Sequence, residues 1–275
     1  MTNGHARVRA GSSPKLDTGL AHEARVYDYW LGGKDNYPAD RALGDTIATH
    51  IPAIRDMARA NRAFLGRAVR HLAGEAGIDQ FLDIGTGLPT AGNTHEVAQR
   101  IDPAARVVYV DNDPLVLAHA RALMASTPQG RIEFLDADLR DPSAVLDAPV
   151  LADTFDPDRP IAILLVAIMM FFRDSDDPHG VVGRLLEAAP SGSYLVLTHS
   201  TGDFDPRAMA RAAAAAEHAG IAFRPRSRDE VESFFAGTAL VEPGIVAVDA
   251  WRPDTDAVPA GARSAWYWAG VGRKP

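Results

Sequence analysis

A short apolar run that ends in an acid and two spaced glycines constrains this chain more than any other feature. The run is Phe81-Leu82-Asp83-Ile84-Gly85-Thr86-Gly87, which is typical of a buried strand that turns sharply at its carboxyl end. Glycines in such a turn adopt backbone dihedrals closed to other residues and let a ligand contact the main chain. The stretch therefore predicts a ligand site directly after a central strand.

The residues that follow complete a strand, turn, helix, strand unit. Asn93 and Glu96 have the spacing of a helix N-cap and the third helical residue, and an apolar strand over 107–110 ends on Asp111. This order is typical of the nucleotide-binding half of a doubly wound α/β domain, in which the acid accepts hydrogen bonds from ribose hydroxyls. Asn112 is a second candidate for the ribose.

The glycine turn indicates which kind of ligand is held. A pyrophosphate site uses G-x-G-x-x-G that opens directly onto a helix, whereas here Leu88-Pro89-Thr90 follows Gly87 before the helix begins. Asp83 would repel a phosphate and suits a ligand that carries an ammonium group. The pattern resembles motif I of the methyltransferases that use S-adenosyl-L-methionine (SAM).

Further stretches narrow this resemblance to one family. Residues 24–37 (ARVYDYWLGGKDNY), 81–93, 107–121, 136–142 and 192–200 resemble an actinobacterial S-adenosyl methyltransferase family that was once catalogued as a domain of unknown function. The resemblance extends from about Ala24 to the end of the chain. It implies a class I SAM-methyltransferase fold, SAM as the cofactor and methyl transfer as the activity.

Periodicity and helix starts predict the same architecture. Apolar runs predict strands over 81–84, 107–110, 132–135, 161–166, 194–198, 245–250 and 265–271. Asp-Pro pairs at 113–114, 141–142, 177–178 and 205–206 predict four crossover helices, because Asp caps a helix and Pro suits its first position. The loop over 251–264 has no helical pattern, so the last two strands are expected to form an antiparallel hairpin. We expect a Rossmann-like, seven-stranded, mostly parallel sheet with an antiparallel final strand.

The amino-terminal part predicts a helical cap. Helices are expected over 24–31 and 39–72, broken by Gly32-Gly33 and Pro52. We expect a flexible tail over 1–20, a cap or lid over 21–75 and a SAM-binding α/β domain over 76–275. The aromatic residues of the first helix either pack on the domain or belong to the lid. With the family resemblance, the polar turn after that helix suggests a lid whose Gly33, Asn36 and Tyr37 contact the cofactor.

The resemblance also assigns the turn after the third strand. In SAM methyltransferases an acid here accepts a hydrogen bond from the adenine amino group, and the next apolar side chain lies against the ring. Asp138 and Leu139 match these positions. The alternative is that the acids of this turn only solvate a loop.

A histidine at the carboxyl edge of a strand can remove a proton from an acceptor. His199 follows an apolar strand at its carboxyl edge, so it is a candidate general base, although a structural bond to a neighbouring loop is the competing interpretation. His95 and His119 are expected to be surface or capping residues. After the fourth strand the chain has Met169-Met170-Phe171 where members of the family that it resembles often have Leu-His-Phe, and Arg173 where proline is common. If that histidine positions the acceptor or acts as a base, its role is absent or has moved in this chain.

Composition limits partners and location. The formal net charge of −8 argues against a broad surface for nucleic acid. The longest apolar run, over 161–172, is too short for a membrane-spanning helix, and no export signal is evident. The absence of cysteine excludes thiolate chemistry and is compatible with the cytoplasm. No metal site is indicated, and the sequence leaves the oligomeric state open.

These features together predict a SAM-dependent methyltransferase that acts on a small-molecule acceptor in specialised metabolism. One alternative is a catalytically silent SAM-binding protein that acts by interaction. Another is a nicotinamide-dependent oxidoreductase on a related fold, which the glycine pattern disfavours.

Overall fold

Alternating strands and helices build a mostly parallel sheet in the computed structural model, which describes residues 17–254 and 266–275. The strands are β1 (Gln80–Ile84), β2 (Arg106–Asp111), β3 (Arg131–Asp136), β4 (Ala162–Val166), β5 (Tyr194–Ser200), β6 (Ala239–Leu240), β7 (Val246–Ala247) and β8 (Tyr267–Arg273). The helices are α1 (Glu23–Leu31), α2 (Pro38–His50), α3 (Ile54–Gly74), α4 (Thr94–Ile101), α5 (Pro114–Leu123), α6 (Pro142–Leu146), α7 (Pro149–Thr154), α8 (Pro178–Ala188), α9 (Pro206–His218) and α10 (Arg228–Ser233).

The strand order is β3-β2-β1-β4-β5-β8-β6, and β7 pairs with β8. Strands β1 to β5 pair in parallel, whereas β8 runs antiparallel to β5. The predicted Rossmann-like class I fold with an antiparallel final strand is thereby confirmed. Register aligns Asp111 of β2 with Asp136 of β3, so the carboxyl ends of neighbouring strands meet at one edge of the sheet.

The last part of the sheet differs from the prediction. The strand expected over 245–250 is only the two-residue β7, and the short β6 was not predicted. The chain turns after Ala247, where the Ala250 N–H donates to its carbonyl, and Trp251 is then buried against Phe64 of α3. Most of the predicted loop over 251–264, Ala265 and most of the tail over 1–20 lie outside the described residues.

The four predicted Asp-Pro helix starts are confirmed. Helices α5, α6, α8 and α9 each begin at the proline, and the preceding aspartate accepts a hydrogen bond from a backbone N–H of the first turn. Asn93 is the residue before α4, as predicted. Its side chain accepts from the Thr90 N–H instead of the α4 backbone, while Glu96 accepts from the Gly92 N–H.

Alternate residues of the strands pack into two cores on opposite faces of the sheet. Phe81 and Val107 face the core that includes α1, α2, α3 and α9. Leu82 and Val108 face the core that includes α6, α8 and α10. Burial on both faces explains why these strands are continuous apolar runs in the sequence.

Helices α1 to α3 form one layer over the sheet, in which α2 packs on α9 and α3 packs on α4 and β8. A buried ion pair between Arg25 of α1 and Asp40 of α2 joins the first two helices, with Nε and Oδ2 3.2 Å apart. No helix of residues 17–254 and 266–275 has the length and hydropathy needed to cross a membrane.

Candidate functional site

A cavity lies at the carboxyl ends of β1, β2 and β4, between this edge of the sheet and helices α1, α2, α3 and α9. Counted with its solvent-open part, it encloses about 1480 Å³. Seven of the predicted cofactor residues line it, namely Asp83, Gly85, Gly87, Asp111, Asn112, Asp138 and Leu139.

Backbone hydrogen bonds hold the glycine turn against the end of β2. The Gly85 N–H donates to the Val110 carbonyl oxygen at 2.8 Å. The Gly87 N–H donates to the Asp111 carboxylate at 2.9 Å. Gly85 has a φ of +73°, and a Cβ there would lie 2.3 Å from the Ile168 side chain, so conformation and space both require glycine.

Asp111 ends β2 with its carboxylate buried in the cavity wall. It accepts hydrogen bonds from the backbone N–H groups of Gly87 and Asp113, both at 2.9 Å. Burial raises the pKa of Asp111 to about 6. Because each carboxylate oxygen can accept more than one hydrogen bond, the group retains acceptor capacity for the hydroxyls of a ligand.

Asp138 and Leu139 follow β3 and lie beside Asn112. The Asn112 side-chain amide donates to Asp138 Oδ2 at 3.2 Å, and the Arg140 guanidinium donates to both carboxylate oxygens. Burial opposes ionisation, but the backbone N–H and guanidinium of Arg140 outweigh it and lower the pKa of Asp138. An ionised acceptor next to the buried, apolar Leu139 can bind the polar edge and the face of a flat ring.

Asp83 and Arg62 bring opposite charges to the start of the glycine turn. Asp83 is buried, and its Oδ2 accepts a hydrogen bond from the Thr94 hydroxyl at 2.6 Å. Burial raises the pKa of Asp83. Arg62 lines the cavity and a smaller pocket that also borders Thr86 and Gly87, and within the described residues no carboxylate lies within 4.0 Å of its guanidinium.

Sequence reasoning missed Arg62 because it lies on α3, far along the chain from the glycine turn. A signal was present in the preceding residue. Asn61 interrupts an apolar stripe made by Ile54, Met57, Ala58 and Leu65 at helical spacing, and all of these are buried. A polar residue on such a stripe marks a place where the helix faces something other than hydrocarbon.

The structure does not bring the predicted lid residues Gly33, Asn36 and Tyr37 into the cavity wall. Their turn is organised around Asp28 of α1, whose carboxylate accepts from the Asp35 N–H at 3.0 Å and from the Asn36 amide at 2.8 Å. The Tyr37 N–H donates to Asp40. The turn over residues 32–37 therefore connects α1 with α2. Its contact with a cofactor remains a prediction.

His199 does not have the geometry of a general base, which corrects the sequence-based hypothesis. It is fully buried and is not among the residues that line the cavity. A guanidinium only donates, so the 3.1 Å contact of Arg226 with Nε2 makes that nitrogen the acceptor, and Nδ1 donates to the Ser200 carbonyl at 2.9 Å. Burial lowers the pKa of His199 to about 3.

His95 and His119 also make structural contacts. His95 was expected to be a surface or capping residue, and it is buried in the first turn of α4, where its backbone N–H and its ring contact the Tyr109 hydroxyl at 2.8 and 2.7 Å. The cause is that α4 lies directly on β2 with Tyr109 facing it. His119 is partly exposed on α5, with Nδ1 3.3 Å from Asp35 Oδ2.

Comparison with known proteins identifies the family. A family model described as S-adenosyl methyltransferase matches residues 9–275. The chain belongs to the S-adenosyl methyltransferase family. This confirms the resemblance drawn from the motifs, and SAM is the cofactor of this family. No curated protein sequence matches the chain.

Solved structures agree with the family membership. A DUF574 family protein from Streptomyces avermitilis is 50% identical with a TM-score of 0.92, over 95% of this chain and 100% of that chain. A candidate methyltransferase from Thermobifida fusca is 44% identical with a TM-score of 0.86, over 94% of this chain and 96% of that chain. A chain from a Haloferax volcanii methyltransferase complex with its activator Trm112 shares the fold at 16% identity and a TM-score of 0.51, over 83% and 94%.

The residues of this member of the S-adenosyl methyltransferase family fit the cofactor of the family. A side chain built on Gly87 would meet nothing within 4 Å, so bare backbone borders open cavity at the glycine turn. The buried Asp111 carboxylate, which has acceptor capacity, matches the ribose diol of SAM, and the apolar Leu139 matches its purine. The Asp83 carboxylate near the turn matches the ammonium group of SAM, and the Arg62 cation matches its carboxylate.

Proposed function

We propose that this protein transfers the methyl group of SAM to a small-molecule acceptor in specialised metabolism. The observation that supports the proposal is one continuous cavity, which joins the glycine turn to apolar side chains of α2, α3 and α9. A cofactor at the turn leaves the rest of that space for a second small molecule. The assignment to specialised metabolism is drawn from the family resemblance, and identification of the acceptor tests it.

The proposed cofactor contacts follow from charge and position. Asp111, with Asn112 beside it, would accept from the ribose hydroxyls, and Asp138 would accept from the adenine amino group with Leu139 against the ring. Asp83 would face the ammonium group, and Arg62 would bind the carboxylate. Residues 21–75 would act as a cap that supplies Arg62 to a SAM-binding domain over 76–275.

When bound, SAM supplies a methyl group made electrophilic by its sulfonium. The task of the chain is then to align the acceptor and to exclude water. The described residues place no histidine among the apolar side chains of α2, α3 and α9, and Met170 at the cavity wall cannot take a proton. Catalysis by alignment, with an acceptor that needs no strong base, is therefore the mechanism we propose.

The alternative is a protein that binds SAM without catalysis. Met170 favours it, because this residue occupies the cavity wall where the family pattern has a histidine. The nicotinamide alternative has lost its basis, since the family is that of S-adenosyl methyltransferases.

Methyl transfer from radiolabelled SAM to a library of neutral small molecules tests the proposal. Calorimetry with S-adenosylhomocysteine runs in parallel, and Asp111→Asn serves as the binding-deficient control. Transfer that depends on Asp111 supports catalysis. Binding of S-adenosylhomocysteine with no transfer to any acceptor favours the silent alternative, and heat from NAD alone would overturn the cofactor assignment.

A further inference from the structure

Apolar side chains from three helices line part of the cavity. We call this part the inner chamber and define it by Leu43 and Ile47 of α2, Met57 of α3, Met170, and Met209 and Ala212 of α9. Half of the six methionines in the chain are in its wall. Methionine side chains adapt to irregular apolar shapes, as is common at sites that accept small apolar molecules.

The inner chamber carries no formal charge. Its six defining residues are all apolar, and two tyrosines, Tyr27 of α1 and Tyr267 of β8, line the same cavity. Burial raises the pKa of both hydroxyls, so both stay neutral at physiological pH. An ionised guest would lose its hydration among these six apolar side chains, none of which supplies a counter-ion, and this disfavours charged molecules on energetic grounds.

Two buried oxygens in the cavity wall lack a partner among the described residues, namely Asn61 Oδ1 and Ser200 Oγ. The orientation of the Asn61 amide follows from its neighbour. The Tyr27 hydroxyl donates its single hydrogen to the Ala58 carbonyl at 3.0 Å, so it must accept from Asn61 Nδ2 at 2.9 Å. This leaves Oδ1 without a donor, and a buried acceptor without a donor is costly.

We propose that the inner chamber binds the methyl acceptor as a neutral, mainly apolar small molecule whose O–H or N–H group donates to Asn61 Oδ1. The inference rests on the proposed function for calling this guest the acceptor. Its chemistry rests on the apolar wall, the absence of charge and the unpaired oxygen. Ser200 Oγ offers a second hydrogen-bond partner.

The test uses three ring compounds of one size, titrated into protein saturated with S-adenosylhomocysteine and followed by fluorescence and calorimetry. The compounds are 2-naphthol, naphthalene and 2-naphthoate. We expect 2-naphthol to bind about tenfold more tightly than naphthalene, because only the former supplies the missing donor. We expect 2-naphthoate to bind at least about tenfold more weakly than 2-naphthol, because its charge has no partner.

Variants locate the binding. Asn61→Leu should remove the preference for 2-naphthol over naphthalene while S-adenosylhomocysteine affinity is retained. Ala212→Trp should fill the chamber and abolish 2-naphthol binding. Ala214→Trp is the matched control, because Ala214 is exposed on the same helix and does not line the cavity.

Equal affinities for 2-naphthol and naphthalene, or 2-naphthol binding that survives Ala212→Trp, would overturn the proposal. The relative affinities of the three compounds for the wild-type protein test the proposal even if a variant does not fold. Failure of S-adenosylhomocysteine to bind would instead contradict the proposed function. In that case the comparison of 2-naphthol with naphthalene on ligand-free protein still decides the chemistry of the chamber.

Discussion

Asp111 shows how one residue serves both the fold and the candidate site. Its carboxylate fixes the glycine turn through the Gly87 N–H and still has lone pairs that face the cavity. Asp111→Asn should therefore lower S-adenosylhomocysteine affinity by roughly tenfold to a hundredfold, the cost of charged hydrogen bonds of about 1.5–3 kcal/mol. Calorimetry measures this, and unchanged affinity would remove Asp111 from the binding site.

The same residue predicts the pH dependence of cofactor binding. Burial raises the pKa of Asp111 to about 6, so the free protein holds a proton there below that pH and a carboxylate above it. Binding that requires the carboxylate should weaken by up to about tenfold for each pH unit below 6. The burial-raised pKa of Asp83 adds a second titration, so Asp111→Asn, which should remove the titration centred near pH 6, separates the two.

Replacement of Arg62 should weaken only the binding of the carboxylate end of the cofactor. Arg62→Gln should weaken S-adenosylhomocysteine binding about tenfold or more through loss of an ion pair to the carboxylate. It should not change the affinity for 5′-methylthioadenosine, which has the same nucleoside and no carboxylate. Arg59→Gln is the control, since Arg59 is exposed on the same helix and pairs with Asp56. Equal losses for both ligands would mean that Arg62 only supports the fold.

Replacement of His199 should lower the stability of the fold and leave the rate of methyl transfer unchanged. Removing its ring takes one buried acceptor from the Arg226 guanidinium, which keeps its bonds to the Met169 and Phe172 carbonyls, and leaves a cavity beside Phe234. His199→Ala should therefore cost about 2–4 kcal/mol of unfolding free energy. Urea unfolding measures the cost. Methyl transfer by the folded protein should be unchanged, and a hundredfold fall with stability intact would restore the role of base.

The sequence predicts the site residues that directly follow strands, but not the site residues that lie on helices. Asp83, Asp111 and Asp138 were predicted to be close because parallel strands end at one edge of the sheet. Arg62 and Asn61 were not, because helical periodicity shows which face of α3 is buried but not what it faces. His199 was assigned to the site by its strand, whereas its side chain points to the opposite core, which includes Phe234.

The turn between α1 and α2 should tolerate no side chain at Gly33, because the Asp28 carboxylate occupies that space. A Cβ on Gly33 would lie 1.8 Å from Asp28 Oδ1, the group that organises the turn. Gly33→Ala should therefore cost about 1–3 kcal/mol of unfolding free energy. Gly66→Ala on α3 should instead stabilise by about 0.5–1 kcal/mol, because its Cβ would meet only Arg70 at 3.6 Å. Urea unfolding compares them, and equal stability of the two variants would contradict the role of Asp28.

Elements with a local signal were predictable and elements without one were not. Asp-Pro pairs specify helix starts through hydrogen bonds within one turn, and all four were correct. Strands β6 and β7 have two residues each and exist only because β8 pairs with them. Such short segments carry no periodicity of their own.

At the scale of the whole molecule, the cavity lies where the helical layer of α1 to α3 meets the sheet. The cavity is lined by Arg62 and Met57 of α3, Asp111 of β2 and Met209 of α9. Residues far apart in sequence thus share one space, and a ligand in it would contact both layers. This arrangement explains why the glycine turn and acids could be predicted, while the inner chamber could not.

A ligand that bridges the two layers should stabilise the molecule as a unit. S-adenosylhomocysteine at a hundred times its Kd should add about 2.7 kcal/mol to the unfolding free energy and raise Tm by roughly 5 °C. Hydrogen exchange should slow in α1 and α3 as well as in the glycine turn, because each contributes to the cavity wall. Asp111→Asn at the same ligand concentration is the control and should show a smaller shift. A rise in Tm with protection confined to residues 80–111 would mean that the helical layer does not contact the cofactor, and a rise with NAD alone would contradict the cofactor itself.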